Sequence, residues 1–336
     1  MRYSFQFPFL ISLLFFLFLI NLSLGSVVIP WMDILKIIVG QETQESIWTN
    51  IIWDIRMPKA VTCILAGGAL SLSGLQMQTL FRNALAGPDV LGLSSGASLA
   101  VSLIFMGQAS GLAFLSMPGT WTIAIAASLG SIMVFLIMFS VSAKLKDNVS
   151  LLIVGLMVGA GTSSIVSVLQ YMSNAEELQT YMIWTFGSLG SLSWPEIQVL
   201  SIVLLIGALM VISSSKDLNA WLLGDNYAHS LGTNIKRSRI ITIFSASILT
   251  GGVTALCGPI AFVGLAVPHL TKILIKTHNH KVLIPAVMIS GGILLLFCDI
   301  VAHLPGKTQV LPINAITALI GAPVVIWVIL RNRVIQ

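Results

Sequence analysis

Ten apolar runs, each close to the length of a membrane-crossing helix, constrain this chain more than any other feature. Read between polar breaks, they cover roughly 7–28, 59–81, 91–107, 121–142, 150–172, 197–214, 239–257, 260–276, 281–303 and 312–331. A helix needs about 20 mostly apolar residues to cross the hydrocarbon core. Backbone in that core must satisfy its own hydrogen bonds, which leaves helices or closed barrels. Only 9% of the 336 residues are charged, where a soluble domain carries about 25%. The expected fold is all-α: a polytopic membrane protein forming one transmembrane domain over 1–336. Arg2 followed by FPFLISLLFFLFLI resembles a signal peptide. The run resumes with LSLGSVVIP, so it is read as a first spanning helix.

An even number of spans puts both termini on one side. With the termini in the cytoplasm, only Lys36, Arg56, Lys59 and Lys307 of the 17 Lys and Arg lie outside. That asymmetry is the positive-inside pattern. It predicts a multi-pass membrane protein with both termini cytoplasmic. Two outer connections are long. Residues 29–58 contain WMDILKIIVG and ESIWTNIIWDI, which read as short amphipathic helices at the interface. Residues 173–196 carry Tyr181, Trp184 and Trp194, either as interfacial anchors or as the rim of an outer cavity.

A polar island on the basic side, 216–239, reads as two short helices. Asp217 or Asn219 can cap the first and Gly224 can end it; Asp225 can cap the second and Gly232 can end it. Two capped helices between long apolar runs suit a docking surface for a soluble partner.

Catalytic chemistry is hard to find. Gly92-Leu93-Ser94-Ser95-Gly96 matches the nucleophile-elbow pattern. Its serines open an apolar helix at the basic end, about 30 Å across the bilayer from Asp299 and His303, so they read as caps. No G-x-x-x-x-G-K-[ST] phosphate loop occurs. His278-Asn279-His280 has no third ligand nearby and reads as a solvated turn, and Cys63, Cys257 and Cys298 read as small buried hydrophobes. No catalytic residue, metal site or cofactor is expected in this chain. Asp299, the one acid well inside a span, should sit in a structural hydrogen bond or ion pair. Gly67, Gly68 and Gly74, the Gly155–Gly159 pair, and Gly291 and Gly292 predict close helix packing.

Arg56-Met57-Pro58-Lys59, then GGALSLSGLQMQTLFRNALAGPDVLGLSSGA over 67–97, resembles the FecCD-type permeases. So do GPIAFVGLAVPHLTKILI over 258–275, LPINAITALIGAPVVIWVILRNR over 311–333, and the polar island with its L-N-x-L-x-L-G and A-x-x-L-G spacing. Members of that family are membrane subunits of ABC importers for iron–siderophores, haem and cobalamin.

The resemblance implies a type II importer permease fold with an inverted repeat: a homodimer, its path on the dimer axis, in the lipid bilayer. It implies two cytoplasmic ABC ATPase subunits, which would hold the ATP and Mg, and a periplasmic or lipid-anchored substrate-binding protein. No nucleic-acid partner is expected. The coupling segment, 216–238, would present Leu218, Asn219, Leu222, Gly224, Ala228, Leu231 and Gly232 to the ATPase. The inner gate would use Asn83, Leu85, Asn148 and Val149, with Ala84 replacing the family's proline and loosening that turn. Docking of the binding protein would use Arg56, Lys59, His303 and Lys307. The expected function is import of an iron–siderophore complex by alternating access, with haem or cobalamin as the alternative cargo. A stand-alone secondary transporter would need several intramembrane acids, against the single Asp299.

Overall fold

With few charged side chains in the apolar runs and no water in the hydrocarbon core, the backbone's hydrogen bonds must close within each segment, and every run folds as helix. The computed structural model describes residues 5–25, 27, 29–41, 46–106, 120–145, 148–303 and 310–333, with no strand among them. In chain order the helices are α1 (Gln6–Ser23), α2 (Trp31–Ile38), α3 (Ser46–Asn50), α4 (Met57–Leu80), α5 (Leu93–Met106), α6 (Thr120–Lys144), α7 (Asn148–Met172) and α8 (Ala175–Thr185). There follow α9 (Trp194–Ser213), α10 (Ser215–Trp221), α11 (Asp225–Ser230), α12 (Ile235–Cys257), α13 (Val263–Ile275), α14 (His280–Ala302) and α15 (Ile313–Arg333). Among the described residues, seven helical segments are long and apolar enough to cross a membrane. α5, α13 and the Ile313–Trp327 part of α15 are shorter apolar helices.

Of the two helices expected in the 29–58 connection, one differs. WMDILKII does form a separate short helix, α2, with Ile34 and Ile37 buried. The second segment is no separate helix. α3 runs through a π-helical turn, Ile51–Arg56, straight into α4, and Ile47–Leu80 forms one continuous 34-residue run. The missing break has a cause: Pro58 stands in the first turn of α4, where its lack of an N–H costs nothing. In the other connection, α8 starts with a capping box in which Asn174 and Glu177 satisfy each other's backbone N–H. Tyr181 is buried and its ring stacks on Trp184 at 6.2 Å, whereas Trp194 is partly exposed and donates from Nε1 to Trp53 O.

α4 is the centre of the bundle. Its span is 83% buried, against 17% for α1 and 22% for α7. α13 and α14 pack on α4; correspondingly, α5 and α6 pack on α12, and α9 touches both central helices. This mirrored pairing is what two inverted halves produce. Glycines set the closest crossings. A methyl group on Gly67 would overlap the Gly291 backbone of α14, and one on Gly74 would overlap the Gly264 backbone of α13. Gly92 packs against Gly155 and Gly159, so the expected small-residue pair does serve close packing.

Gly67→Ala should therefore destabilise the fold by about 1–3 kcal/mol or more. Gly161, with nothing within 4 Å of an added methyl, should accept alanine without loss. Thermal unfolding of the two detergent-purified variants checks this.

Candidate functional site

The polar island folds as two short helices, but its caps differ from expectation. α10 begins after Ser214, so Asp217 and Asn219 lie inside the helix and cap nothing at its start. Asp225 is the first residue of α11, whose N-cap is Gly224. Gly224 (φ +108°) and Gly232 (φ +83°) do end the two helices, both in a backbone region that other residues avoid.

The pair has two faces. Leu218, Ala220, Trp221 and Ala228 are buried against the bundle. Leu222, Leu223, Tyr227 and Leu231 are exposed, Leu223 and Leu231 by 63% and 60%. An exposed apolar cluster held on buried anchors, outside the apolar spans, marks an interaction surface. A cleft of about 550 Å³ separates it from Arg82, with Leu223, Gly224 and Tyr227 on its wall.

Asn219 fastens this pair to the spans. Its Oδ1 accepts from the His280 backbone N–H at 2.9 Å and lies 2.8 Å from His280 Nδ1. Its Nδ2 donates to Asn279 Oδ1 at 3.2 Å. His280 Nε2 lies 2.9 Å from Thr79 Oγ1 on α4. One side chain thus ties α10 to the start of α14 and, through His280, to the end of α4. His280 is buried, not in a solvated turn. No local pattern announces it, because Asn219 and Thr79 are 61 and 201 residues away.

The expected gate residues lie at this same basic end. Asn83 and Leu85 are exposed in the turn after α4, and Val149 is exposed in the first turn of α7, which Asn148 begins. The α4–α5 connection packs on α7 through Pro88–Leu91. The turn has compensations for Ala84. Asn83 Oδ1 accepts from the Leu85 N–H at 2.9 Å, and His269 of α13 reaches the Ala84 carbonyl at 2.7 Å. Lys272 and Gln78 add a second tie between α13 and α4, at 3.1 Å. Ser94 is the second residue of α5, and its hydroxyl donates to Asp89 at 2.7 Å.

At the opposite end, Arg56, Lys59 and His303 converge, but inward. Arg56 is buried and donates to the carbonyls of Leu22 and Ser23 at 2.7 and 2.9 Å, and to that of Val27, closing the end of α1. Lys59 is buried and pairs with Asp299 at 2.9 Å. Asn21 donates to the same carboxylate oxygen at 2.7 Å, and His303 Nδ1 stands 3.3 Å from the other. Arg56 and Lys59, expected in docking, thus also have partners within the chain that offset the desolvation of their charges. The expected ion pair of Asp299 is present. Lys307 lies outside the described residues.

Removing one partner of a buried ion pair costs about 3–5 kcal/mol, while replacing both with apolar residues is often neutral. Asp299→Leu alone should therefore lower thermal stability sharply, and Lys59→Met with Asp299→Leu should recover most of it. Asn219→Ala, which strips a buried histidine of its partner, should cost about 1–3 kcal/mol. It should also speed proteolysis between α9 and α12, leaving Leu223→Ser as the unaffected control.

Known proteins place this arrangement. The FecCD transport family model matches residues 13–331. The chain is 33% identical to the hemin transport system permease protein HmuU of Yersinia pestis, over 97% of this chain and 95% of that one. It is 34% identical to the vitamin B12 import system permease protein BtuC of Klebsiella pneumoniae, over 84% and 83%. Among solved structures, a metal-chelate type ABC transporter in an inward-facing conformation superposes with a TM-score of 0.83 at 27% identity, covering 96% of this chain and 97% of that one. By motif, helix arrangement and full-length similarity, this chain belongs to the FecCD transport family.

Proposed function

We propose that the chain is the permease subunit of an ABC importer for a large metal chelate, moving it across the bacterial inner membrane by alternating access. The observation that carries this reading is the exposed apolar face of α10 and α11, anchored from beneath by Leu218, Trp221 and Ala228. The ATP chemistry belongs to two ABC ATPase partners, which dock on Leu222, Leu223, Tyr227 and Leu231. A push on that face reaches α14 and α4 through Asn219 and His280, the kind of rigid-body step that switches a packed bundle.

A homodimer is supported by α7. Its exposed residues mix Ala160, Gly161, Ser163, Ser164 and Ser167 with Leu156, Met157, Ile165 and Val168, and small residues among larger apolar ones let a second copy approach closely. Asn83, Leu85, Asn148 and Val149 stand where a path on the dimer axis would close. Relatives named for hemin and vitamin B12 support metal chelates as the cargo class and put both beside the ferric siderophore expected from the family as a whole. A binding protein delivers the cargo at the end opposite the coupling face. For Arg56 and Lys59, burial leaves a positioning role for the outer rim, with His303 and Lys307 as the docking charges.

Leu223→Glu with Leu231→Glu should weaken capture of the co-expressed ATPase roughly tenfold or more, since interface hot spots exceed about 1 kcal/mol each, with thermal stability unchanged. Unaltered capture would sink the coupling assignment. Proton-driven uptake by the lone subunit in liposomes would overturn the importer reading itself. Lys59→Met with Asp299→Leu separates docking from packing: retained capture of the binding protein assigns Lys59 to packing alone. Hemin, cobalamin and a ferric siderophore, offered in turn to the binding protein, identify the cargo.

A further inference from the structure

Three cavities lie in line along the seam between α6 and α12. The one at the basic end, about 910 Å³, is lined by Lys144 and Leu145 at the end of α6, His229 of α11, and Lys236 and Arg239 at the start of α12. No acid lines it among the described residues. Deeper along the same helices lies a cavity of about 190 Å³ between Ile132 and Phe135 of α6 and Phe244 of α12. A third, about 260 Å³, continues toward Trp121. Ser128, Val203 and Gly252 line both of these, so the two form one apolar groove. Phe135 stands 5.2 Å from Phe244 and 6.0 Å from Phe139, and Phe135 and Phe244 line the end of the groove nearer the basic cavity along α6 and α12.

This layout is amphipathic in one direction. Positive charge sits at the mouth and hydrocarbon below it, with Leu129, Ile132, Phe139 and Phe244 exposed along the rim. Lys144 to Ile132 is twelve residues of helix, about 18 Å at 1.5 Å per residue. One leaflet with its headgroup zone is about 20 Å deep. A buried-tail, anionic-head molecule of that length matches both the charge and the depth.

We propose that this seam binds an anionic phospholipid, with its phosphate at Lys144 and Lys236 beside Arg239 and one acyl chain laid past Phe135 and Phe244 into the groove. The mouth of the site borders the coupling segment at His229 and Gly232. A lipid held there would fill the gap between α6, α9 and α12 and brace the foot of α12 next to α11.

Native mass spectrometry of the detergent-purified chain tests it, with phosphatidylglycerol, phosphatidylcholine of the same acyl chains, and soluble glycerol phosphate as probes. Phosphatidylglycerol should be retained and the other two not. Lys144→Ser with Lys236→Ser, both exposed positions, should weaken phosphatidylglycerol roughly 30-fold, from about a fivefold loss per basic residue near a membrane surface. Ser128→Phe, which fills the groove, should weaken it as well. Equal retention of the two lipids, or undiminished binding in the double serine variant, overturns the proposal. Retention of glycerol phosphate as tight as the lipid's makes this a soluble-anion pocket and also overturns it. So does loss of a dimer in Ser128→Phe without any change in lipid binding, which assigns the seam to a second copy of the chain.

Discussion

The fold depends on the near-complete burial of one helix. α4 meets α12, α13, α14 and α9 on its different sides, and lipid tails supply no hydrophobic drive to hold apolar helices together. Close packing must do it. Gly67 against Gly291 and Gly74 against Gly264 bring backbones into contact at two levels of the same helix. At the level between, Ser73 reaches Thr250 Oγ1 at 2.8 Å and the Ala246 carbonyl at 3.2 Å on α12. A helix held this tightly cannot slide alone. Motion of its neighbours has to occur as rotation of packed units around it.

Both ends of α4 are wired accordingly. At the basic end, Thr79 and Gln78 receive His280 of α14 and Lys272 of α13, and the turn that follows is held by His269. α10 enters the same network through Asn219. α10, the Asn83–Leu85 turn and the central helix are therefore linked by hydrogen bonds within a few residues of one another. Direct mechanical continuity follows from that geometry.

At the other end, the same helix carries Arg56 and Lys59. Buried bases are tolerable only when desolvation is offset by partners. Arg56 finds three carbonyls at the end of α1, and Lys59 finds Asp299 with Asn21 and His303 beside it. Four helical elements, α1, the π-turn, α4 and α14, are thereby stitched at one level. Two of the four bases that break the charge asymmetry of the sequence thus have partners inside the chain.

Much of the architecture is legible in sequence because its cause is local. Apolar length dictates spanning helices, charge asymmetry separates the basic end from the other, and Gly224 and Gly232 end the island's helices wherever they are. Asp299 was readable as a paired acid, since a lone one in a span costs too much. Local chemistry misleads where a partner comes from far along the chain. Asn219 has a good capping side chain, yet it spends its bonds on His280, and Ser214 precedes the helix instead. His280 reads as a solvated turn residue until Thr79 and Asn219 enclose it. Nothing local to Arg56 and Lys59 shows that α1 and α14 supply their partners. Sequence determined that the chain is a set of apolar helices and which family it resembles, because propensity and hydropathy act within a few residues. Only tertiary structure decided which polar groups face inward, because that depends on partners brought together from helices tens to hundreds of residues apart.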